Sequence, residues 1–91
     1  MNVLEEAGAI ITGPRREAYG PVEQSFGAVA SAWASILGTD VTARDVALCM
    51  IALKVMRDAN KPGRDNLVDI CGYAALAEML DEASAGLVED S

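Results

Sequence analysis

Large apolar side chains recur along this chain at the three- and four-residue spacings that place them on one side of an α-helix. The clearest run lies between Pro21 and Gly38. Its apolar stripe consists of Val22, Phe26, Val29, Trp33 and Ile36. Proline at the first helical position and glycine just beyond the last are typical helix boundaries. The pattern therefore predicts a helix here, with the stripe facing the core.

Three further helices are predicted around this one. A short helix covers Val3 to Ile11 and stops before Gly13-Pro14. Another begins after Thr42, which has the spacing of a capping box with Asp45, and ends in the run 60–63. Its predicted core stripe is Val46, Cys49, Met50, Leu53 and Met56. The last helix runs from about Gly63 to Glu82, with Leu67, Ile70, Cys71, Ala74 and Ala77 as its stripe.

These elements predict an all-α protein. No segment alternates with the period of two that a β-strand requires. We expect a small four-helix bundle, made of a short N-terminal helix and three longer ones, in a single domain over residues 1–82. Residues 83–91 are small and acidic and predict a flexible tail. A chain of 91 residues with few aromatics has a thin core, which favours a homo-oligomer, a dimer or a tetramer.

Composition excludes several classes of function. With no histidine in the sequence, Ser-His-Asp and Cys-His catalytic sites are excluded. Cys49 and Cys71 lie inside helical patterns, as expected of buried thiols in a reducing cytosol, and a zinc site is not expected. The N-terminus does not resemble a secretion signal and no apolar run is long enough to span a membrane, so we expect a cytoplasmic protein without membrane contact.

The charge is unevenly distributed. Acids outnumber bases 14 to 7, giving a net charge of −7, which argues against general DNA binding. Residues 15–73 nevertheless contain seven acids and all seven bases, so this segment is neutral and the acidity belongs to the two ends.

Three acids are candidate ligands for Mg²⁺. Asp65 and Asp69 are four residues apart and project from one face of the last helix, where two carboxylates can share a divalent cation. Glu23, one turn into the second helix, is the remaining acid placed to join them. Taken alone, Asp65 and Asp69 are better explained as part of a solvated helix surface, with Asp65 a favourable charge at the helix N-terminus, and Glu23 as a favourable charge at the start of the second helix.

Several other residues are candidates for binding phosphate. Three bases, Lys54, Arg57 and Arg64, flank the turn between the third and fourth helices. Lys54 interrupts an apolar stretch and therefore needs either a carboxylate partner or a route to solvent. A partner such as Asp69 would give a structural salt bridge, which is the favoured interpretation, and a phosphate would give a binding site. Arg15 and Tyr19 form a second polar cluster, and Tyr73 offers a stacking face or a hydroxyl. Gly72 is unfavourable inside a helix unless a backbone or a ligand approaches it closely.

The order of these motifs resembles a known family. The residues that carry the resemblance are Ile11-Thr12-Gly13-Pro14-Arg15, Tyr19-Gly20, Glu23, Phe26, Trp33, Asp45-Val46-Ala47, Lys54, Arg57 and the run 65–76. Together they are similar to DUF6378, a family of small phage- and prophage-encoded proteins, over about residues 5 to 80. The resemblance implies expression in the cytoplasm of a bacterial host.

A more distant likeness connects Arg15-x-x-x-Tyr19-Gly20 and Asp65-x-x-x-Asp69-x-x-x-Tyr73 to a nucleotide-modification-associated phage domain and to the MazG-like and dimeric dUTPase group of all-α pyrophosphatases. That likeness implies Mg²⁺ held by acids of facing helices and a phosphate chain neutralised by nearby bases. Glu23 would match the first metal-binding helix. The present chain departs from the MazG-like pattern, because its early helix supplies one acid where that group has a Glu-Glu-x-x-Glu cluster.

Three functional hypotheses follow. The first is an oligomeric helical protein that binds a nucleotide or related phosphate ligand, with Mg²⁺-dependent pyrophosphohydrolysis as its catalytic form. The second is a non-catalytic sponge for a nucleotide signal. The third is a structural or interaction oligomer, in which the acids and bases serve only to hold the protein together.

Overall fold

A computed structural model describes residues 1–12 and 22–87 of the chain, with side chains described over 1–12 and 24–80. Four α-helices make up this part of the chain: α1, Val3–Thr12; α2, Val22–Leu37; α3, Ala43–Asn60; and α4, Arg64–Leu87. The described residues contain no strand. The all-α prediction, with one short and three longer helices, is confirmed.

The helix boundaries follow from local chemistry. Asn2 and Glu5 form a capping box at the start of α1, since the Glu5 N–H donates to Asn2 Oδ1 at 2.8 Å and the Asn2 N–H donates to Glu5 Oε1 at 3.0 Å. The capping box predicted for α3 is present, with Thr42 and Asp45 satisfying each other's backbone N–H groups. Reciprocal caps of this kind satisfy N–H groups that the helix itself leaves unpaired.

The ends of α2 and α3 also match the sequence. Gly38 follows α2 with φ of +70°, a conformation that glycine adopts without the strain of a Cβ, and its N–H donates to Ala34 O. The Lys61 N–H donates to Arg57 O at the end of α3. The Gly63 N–H donates to Asp58 Oδ1 at 3.0 Å, which fixes the turn into α4. α4 then continues to Leu87, past the predicted end at Glu82. The division into a domain, 1–82, and a tail, 83–91, stays a prediction.

The long helix α4 organises the packing. It contacts α1, α2 and α3, and its most extensive interface is with α3. Among the described residues α1 contacts neither α2 nor α3, so the helices are arranged around α4. The main buried cluster, between α3 and α4, consists of Ala47, Leu76, Ala77 and Leu80. Because half of this cluster is alanine, the core is thin, as composition predicts.

The structure corrects the predicted core stripes of α2, α3 and α4. On α4, Leu67 and Ala74 are exposed, whereas Val68, Leu76 and Leu80, which lie outside the predicted stripe, are buried.

On α2 the buried position is Ala30, with Phe26 and Trp33 half-buried beside it, whereas Val29 and Ile36 are exposed. Phe26, Ala30 and Trp33 lie on one line of the helix at spacings of four and three. Val29 and Ile36 lie seven residues apart on the neighbouring line, which α3 and α4 leave exposed.

The α3 stripe is corrected more strongly. Val46 is buried and Met50 half-buried, but Cys49, Leu53 and Met56 are exposed. The side of α3 that faces the core instead carries Ala47, which is fully buried. The reason is that apolar residues surround this helix on every side, so periodicity alone does not choose the side that packs.

Candidate functional site

Lys54 and Asp69 form an ion pair between α3 and α4. Nζ of Lys54 lies 2.9 Å from Oδ2 of Asp69, and the side chains are 15% and 39% exposed. Lys54 therefore has the carboxylate partner that its position inside an apolar stretch requires. The pairing uses the charge of Asp69 in the fold, which leaves it less available to a metal ion.

Arg64 links the start of α4 to the start of α1. Its Nη1 donates to Oε1 of Glu6 at 2.6 Å, and its Nη2 donates to the carbonyl oxygen of Met1 at 2.7 Å. Both side chains are substantially exposed. The guanidinium of Arg64 thus connects α4 both to Glu6 of α1 and to the backbone of Met1, which precedes α1. This arrangement suits a structural role.

The turn between α3 and α4 contains an open concavity of about 540 Å³. It is lined by Arg57 and by residues 60–66. Arg57 and Lys61 make no ion pair within the described part of the chain. Two bases thus stand at the N-terminal end of α4, where the helix dipole favours an anion, although Asp65 lies in the first turn and opposes one.

Tyr73 belongs to the packed interior. It lies against the cluster of Ala47, Leu76, Ala77 and Leu80, and its ring centroid is 6.2 Å from that of Phe26 at an interplanar angle of 43°. This is an ordinary tilted aromatic contact. Neighbouring Gly72 is buried, and a Cβ built there would lie 3.7 Å from Cγ2 of Ile11 on α1. Within the described residues this is ordinary van der Waals contact with a side chain of α1, and not the close approach of a backbone that the glycine predicts.

The predicted site residues separate into groups. Arg57, Arg64 and Asp65 line the concavity at the turn, whereas Lys54, Asp69 and Tyr73 do not. Arg15 and Tyr19 lie outside the described residues, as does the side chain of Glu23. Over the described ranges, no three acids, cysteines or histidines gather in a cluster able to hold a metal ion. The Mg²⁺ site stays a prediction.

An exposed apolar surface on α3 is not predicted from the periodicity, which assigns Cys49, Leu53 and Met56 to the core. The outer face of α3, as defined here, comprises the exposed apolar residues Leu48, Cys49, Ala52, Leu53, Val55, Met56 and Ala59. From Val46 to Met56 the one charged residue is Lys54, and it is paired with α4. This lack of surface charge is the signal that was available in the sequence.

One further electrostatic feature lies at the start of α3. Hydrogen bonds from Thr42, first from its backbone N–H and then from its side chain, lower the pKa of the Asp45 carboxyl below its ordinary value of 3.8, and neighbouring Arg44 acts in the same direction. The carboxylate is fully exposed. Its role is that of a helix cap, not of a reactive acid.

Over the described residues, the structure thus shows four helices, two inter-helix ion pairs and an apolar face of α3 that the other helices leave exposed. Within the described residues, none of the helices combines the length and apolar character needed to cross a membrane. Residues 2–81 match the model of DUF6378, described as a domain of unknown function, and the chain belongs to this family. The family prediction is confirmed.

The relatives are phage proteins. The chain is 37% identical over 82 residues to the Gene 55 protein of Mycobacterium phage L5, an alignment covering 88% of this chain and 53% of that protein. It is 33% identical over 82 residues to the Gene 55 protein of Mycobacterium phage D29, covering 89% and 54%. The chain thus spans about half the length of these relatives. No solved structure matches it. The distant likeness to MazG-like pyrophosphatases finds no support in these matches.

Proposed function

We propose that this domain is an assembly module that self-associates through the outer face of α3. The observation that carries the proposal is the exposure of Leu48, Leu53, Val55 and Met56 along one helix, with no charged side chain among them on that face. A helix that is apolar on all sides is normally covered on all sides. Among the described residues α3 is covered on one side, by α2 and α4.

A second copy is the occupant that chain size favours. A domain this small buries only about 60% of its unfolded surface, so it gains proportionally more from an intermolecular interface than a large domain does. Single exposed apolar residues are ordinary on protein surfaces, but a continuous apolar patch indicates an interaction site. The outer face of α3 extends from Leu48 to Ala59 without interruption by an exposed charge, apart from Arg57 at its edge.

The ion pairs favour this structural hypothesis over the catalytic one. Asp69 is neutralised by Lys54, and Arg64 is occupied by Glu6. Tyr73 packs in the core. Groups that satisfy one another are the mark of a structural network, whereas a catalytic site keeps charged groups directed at an open cavity. Mg²⁺-dependent hydrolysis would require these residues to exchange their partners.

Light scattering after size-exclusion chromatography tests the proposal. Met56, 68% exposed on the outer face of α3, is replaced by glutamate, and Ile36, 80% exposed on α2, receives the same change as a matched control. We expect the wild-type chain and Ile36→Glu to have the mass of an oligomer, and Met56→Glu to have the mass of a monomer with unchanged helical circular dichroism. A monomeric wild-type chain would refute the proposal, as would equal behaviour of the two variants.

A second candidate function is binding of a phosphate ligand, such as a nucleotide, at the turn between α3 and α4. It is favoured by Arg57 and Lys61, which line the concavity there without a carboxylate partner in the described chain. Bases beside a helix N-terminus provide both charge and N–H donors for phosphate oxygens. Because no complete metal cluster accompanies them, a non-catalytic sponge fits these residues better than a hydrolase.

Calorimetric titration distinguishes these ligand hypotheses. Inorganic triphosphate and nucleoside triphosphates are titrated with and without Mg²⁺ into the wild-type chain, Arg57→Gln/Lys61→Gln, and Arg44→Gln as a control at the other end of α3. Loss of binding in the double variant alone, with intact ligand recovered, supports the sponge. Release of pyrophosphate supports the hydrolase. Absence of any heat of binding removes this second candidate and leaves the assembly proposal standing.

A further inference from the structure

The outer face of α3 has a symmetric arrangement of side chains. Ala52 lies near its middle, with Leu48 and Met56 four residues away on either side. Cys49 and Val55 lie three residues away on either side. All five residues are exposed. Residues three and four apart lie on the same side of a helix. The small side chain of Ala52 therefore has a large side chain four residues away in each direction along α3, Leu48 on one side and Met56 on the other.

Such a face complements itself under a two-fold rotation. In a two-fold interface each patch meets the same patch of the partner, so that residue i contacts residue j and residue j contacts residue i. If Ala52 lies on the axis, Leu48 meets the partner's Met56 and Cys49 meets the partner's Val55. The small side chain at the centre lets the two helices approach to the ordinary packing distance of about 8–10 Å.

The charges at the ends of α3 select the orientation. The start of the helix carries Asp40, Arg44 and Asp45, a net charge of −1, and its end carries Arg57, Asp58 and Lys61, a net charge of +1. Antiparallel pairing brings the acidic start of one helix toward the basic end of the other. Parallel pairing would place like charges side by side and would also align the two helix dipoles unfavourably.

From the symmetry and the charges, we propose that two copies of this chain pair through α3 in antiparallel alignment, with Ala52 of each copy at the two-fold axis. This inference rests on the proposed self-association and specifies its geometry. In this interface the large side chains bury apolar surface, the small side chain of Ala52 allows the two α3 helices to approach closely, and the charges at the helix ends favour the antiparallel orientation.

Cysteine cross-linking tests the alignment. The native thiols are first removed by Cys49→Ala and Cys71→Ala, and light scattering checks that this background still forms a dimer. Ala52→Cys in that background should then form a disulfide-linked dimer on mild oxidation, because a disulfide requires Cα atoms within about 7 Å. Leu48→Cys and Met56→Cys should each link poorly to themselves but should link to each other when the two variants are mixed.

The outcomes separate this inference from the proposed function. Self-linking of Leu48→Cys and of Met56→Cys, with no preference for the mixture, would establish parallel pairing and overturn the antiparallel alignment. A dimer in which Ala52→Cys does not link would also overturn it, while leaving self-association intact. A monomer in light scattering would defeat both. If the cysteine-free background does not fold, the same substitutions are made in the wild-type chain and the linked peptides are identified by mass spectrometry.

Discussion

Nζ of Lys54 lies 2.9 Å from Oδ2 of Asp69, and this ion pair joins the middle of α3 to α4. The two ends of the pair differ in environment, since Lys54 is 15% exposed and Asp69 39% exposed. An ammonium group with so little access to water is costly without a carboxylate beside it. Removal of Asp69 would therefore destabilise the fold mainly because the ammonium group of Lys54 would be left with little access to water and no carboxylate partner.

We expect Asp69→Asn to lower the free energy of unfolding by about 1–2 kcal/mol, a value between those typical of exposed and of buried pairs because Asp69 retains contact with solvent. Urea denaturation measures the change. Asp65→Asn, one turn earlier on the same helix and exposed, is the matched control and should change stability by less than about 0.5 kcal/mol. Equal effects of the two variants would show that the pair contributes nothing specific.

A double-mutant cycle isolates the pairing itself. Lys54→Met removes the buried charge and keeps much of the side-chain volume, so Lys54→Met/Asp69→Asn should be less destabilised than Asp69→Asn alone. The sign of this coupling separates an ion pair from two independent contributions. Additive effects of the two substitutions would contradict the structural role given to the pair.

Gly72→Ala should raise the free energy of unfolding by up to about 1 kcal/mol. Glycine inside a helix is unfavourable relative to alanine by about this amount, and the added Cβ would lie at the ordinary contact distance of 3.7 Å from Cγ2 of Ile11. The measurement is thermal or urea denaturation. Gly72→Val, whose branched side chain exceeds the space beside Ile11, is the opposing variant and should destabilise. A destabilised Gly72→Ala would mean that the contact between α1 and α4 is closer than described.

The helix boundaries could be predicted from sequence because each is marked by a residue with a local physical reason. Gly38 ends α2 in a left-handed conformation, and Thr42 and Asp45 cap α3. The side of α3 that packs could not be predicted in this way. Its apolar residues surround the helix, so Ala47 and Met56 fit a core equally well by periodicity, and only the positions of α2 and α4 decide between them.

The candidate site shows the same limit. The apolar neighbours of Lys54 predict that it needs a partner, and the sequence offers Asp69 as a carboxylate that can meet this need. The partner of Arg64 could not be predicted in this way. Its contact with Glu6 joins positions 58 residues apart and depends on how α1 packs on α4. Tyr73 resembles a ligand-binding aromatic in the sequence, but in the fold its ring lies against that of Phe26 on α2.

The capping box of α3 predicts a pH dependence. Because folding lowers the pKa of Asp45 below 3.8, its contribution to stability is present in full above the unfolded pKa and is lost as the pH falls through the lower, folded pKa. Asp45→Ala should therefore destabilise the chain at neutral pH, and the difference from wild type should shrink below about pH 4. Asp40→Ala, outside the capping box, is the control. A difference that stays constant between neutral and acidic pH would exclude this linkage.

Self-association predicts that thermal stability depends on protein concentration. When folded copies bind one another and unfolded chains do not, dilution favours unfolding. For a dimer of chains this small, each tenfold increase in concentration should raise Tm by about 3 to 5 °C. Circular dichroism over about a hundred-fold range of concentration measures this. Because Met56 lies on the outer face of α3 and Ile36 does not, Met56→Glu should abolish the dependence and Ile36→Glu should retain it. A wild-type Tm that is independent of concentration would mean that the α3 face stays uncovered in solution, and that its apolar residues serve a partner other than this chain.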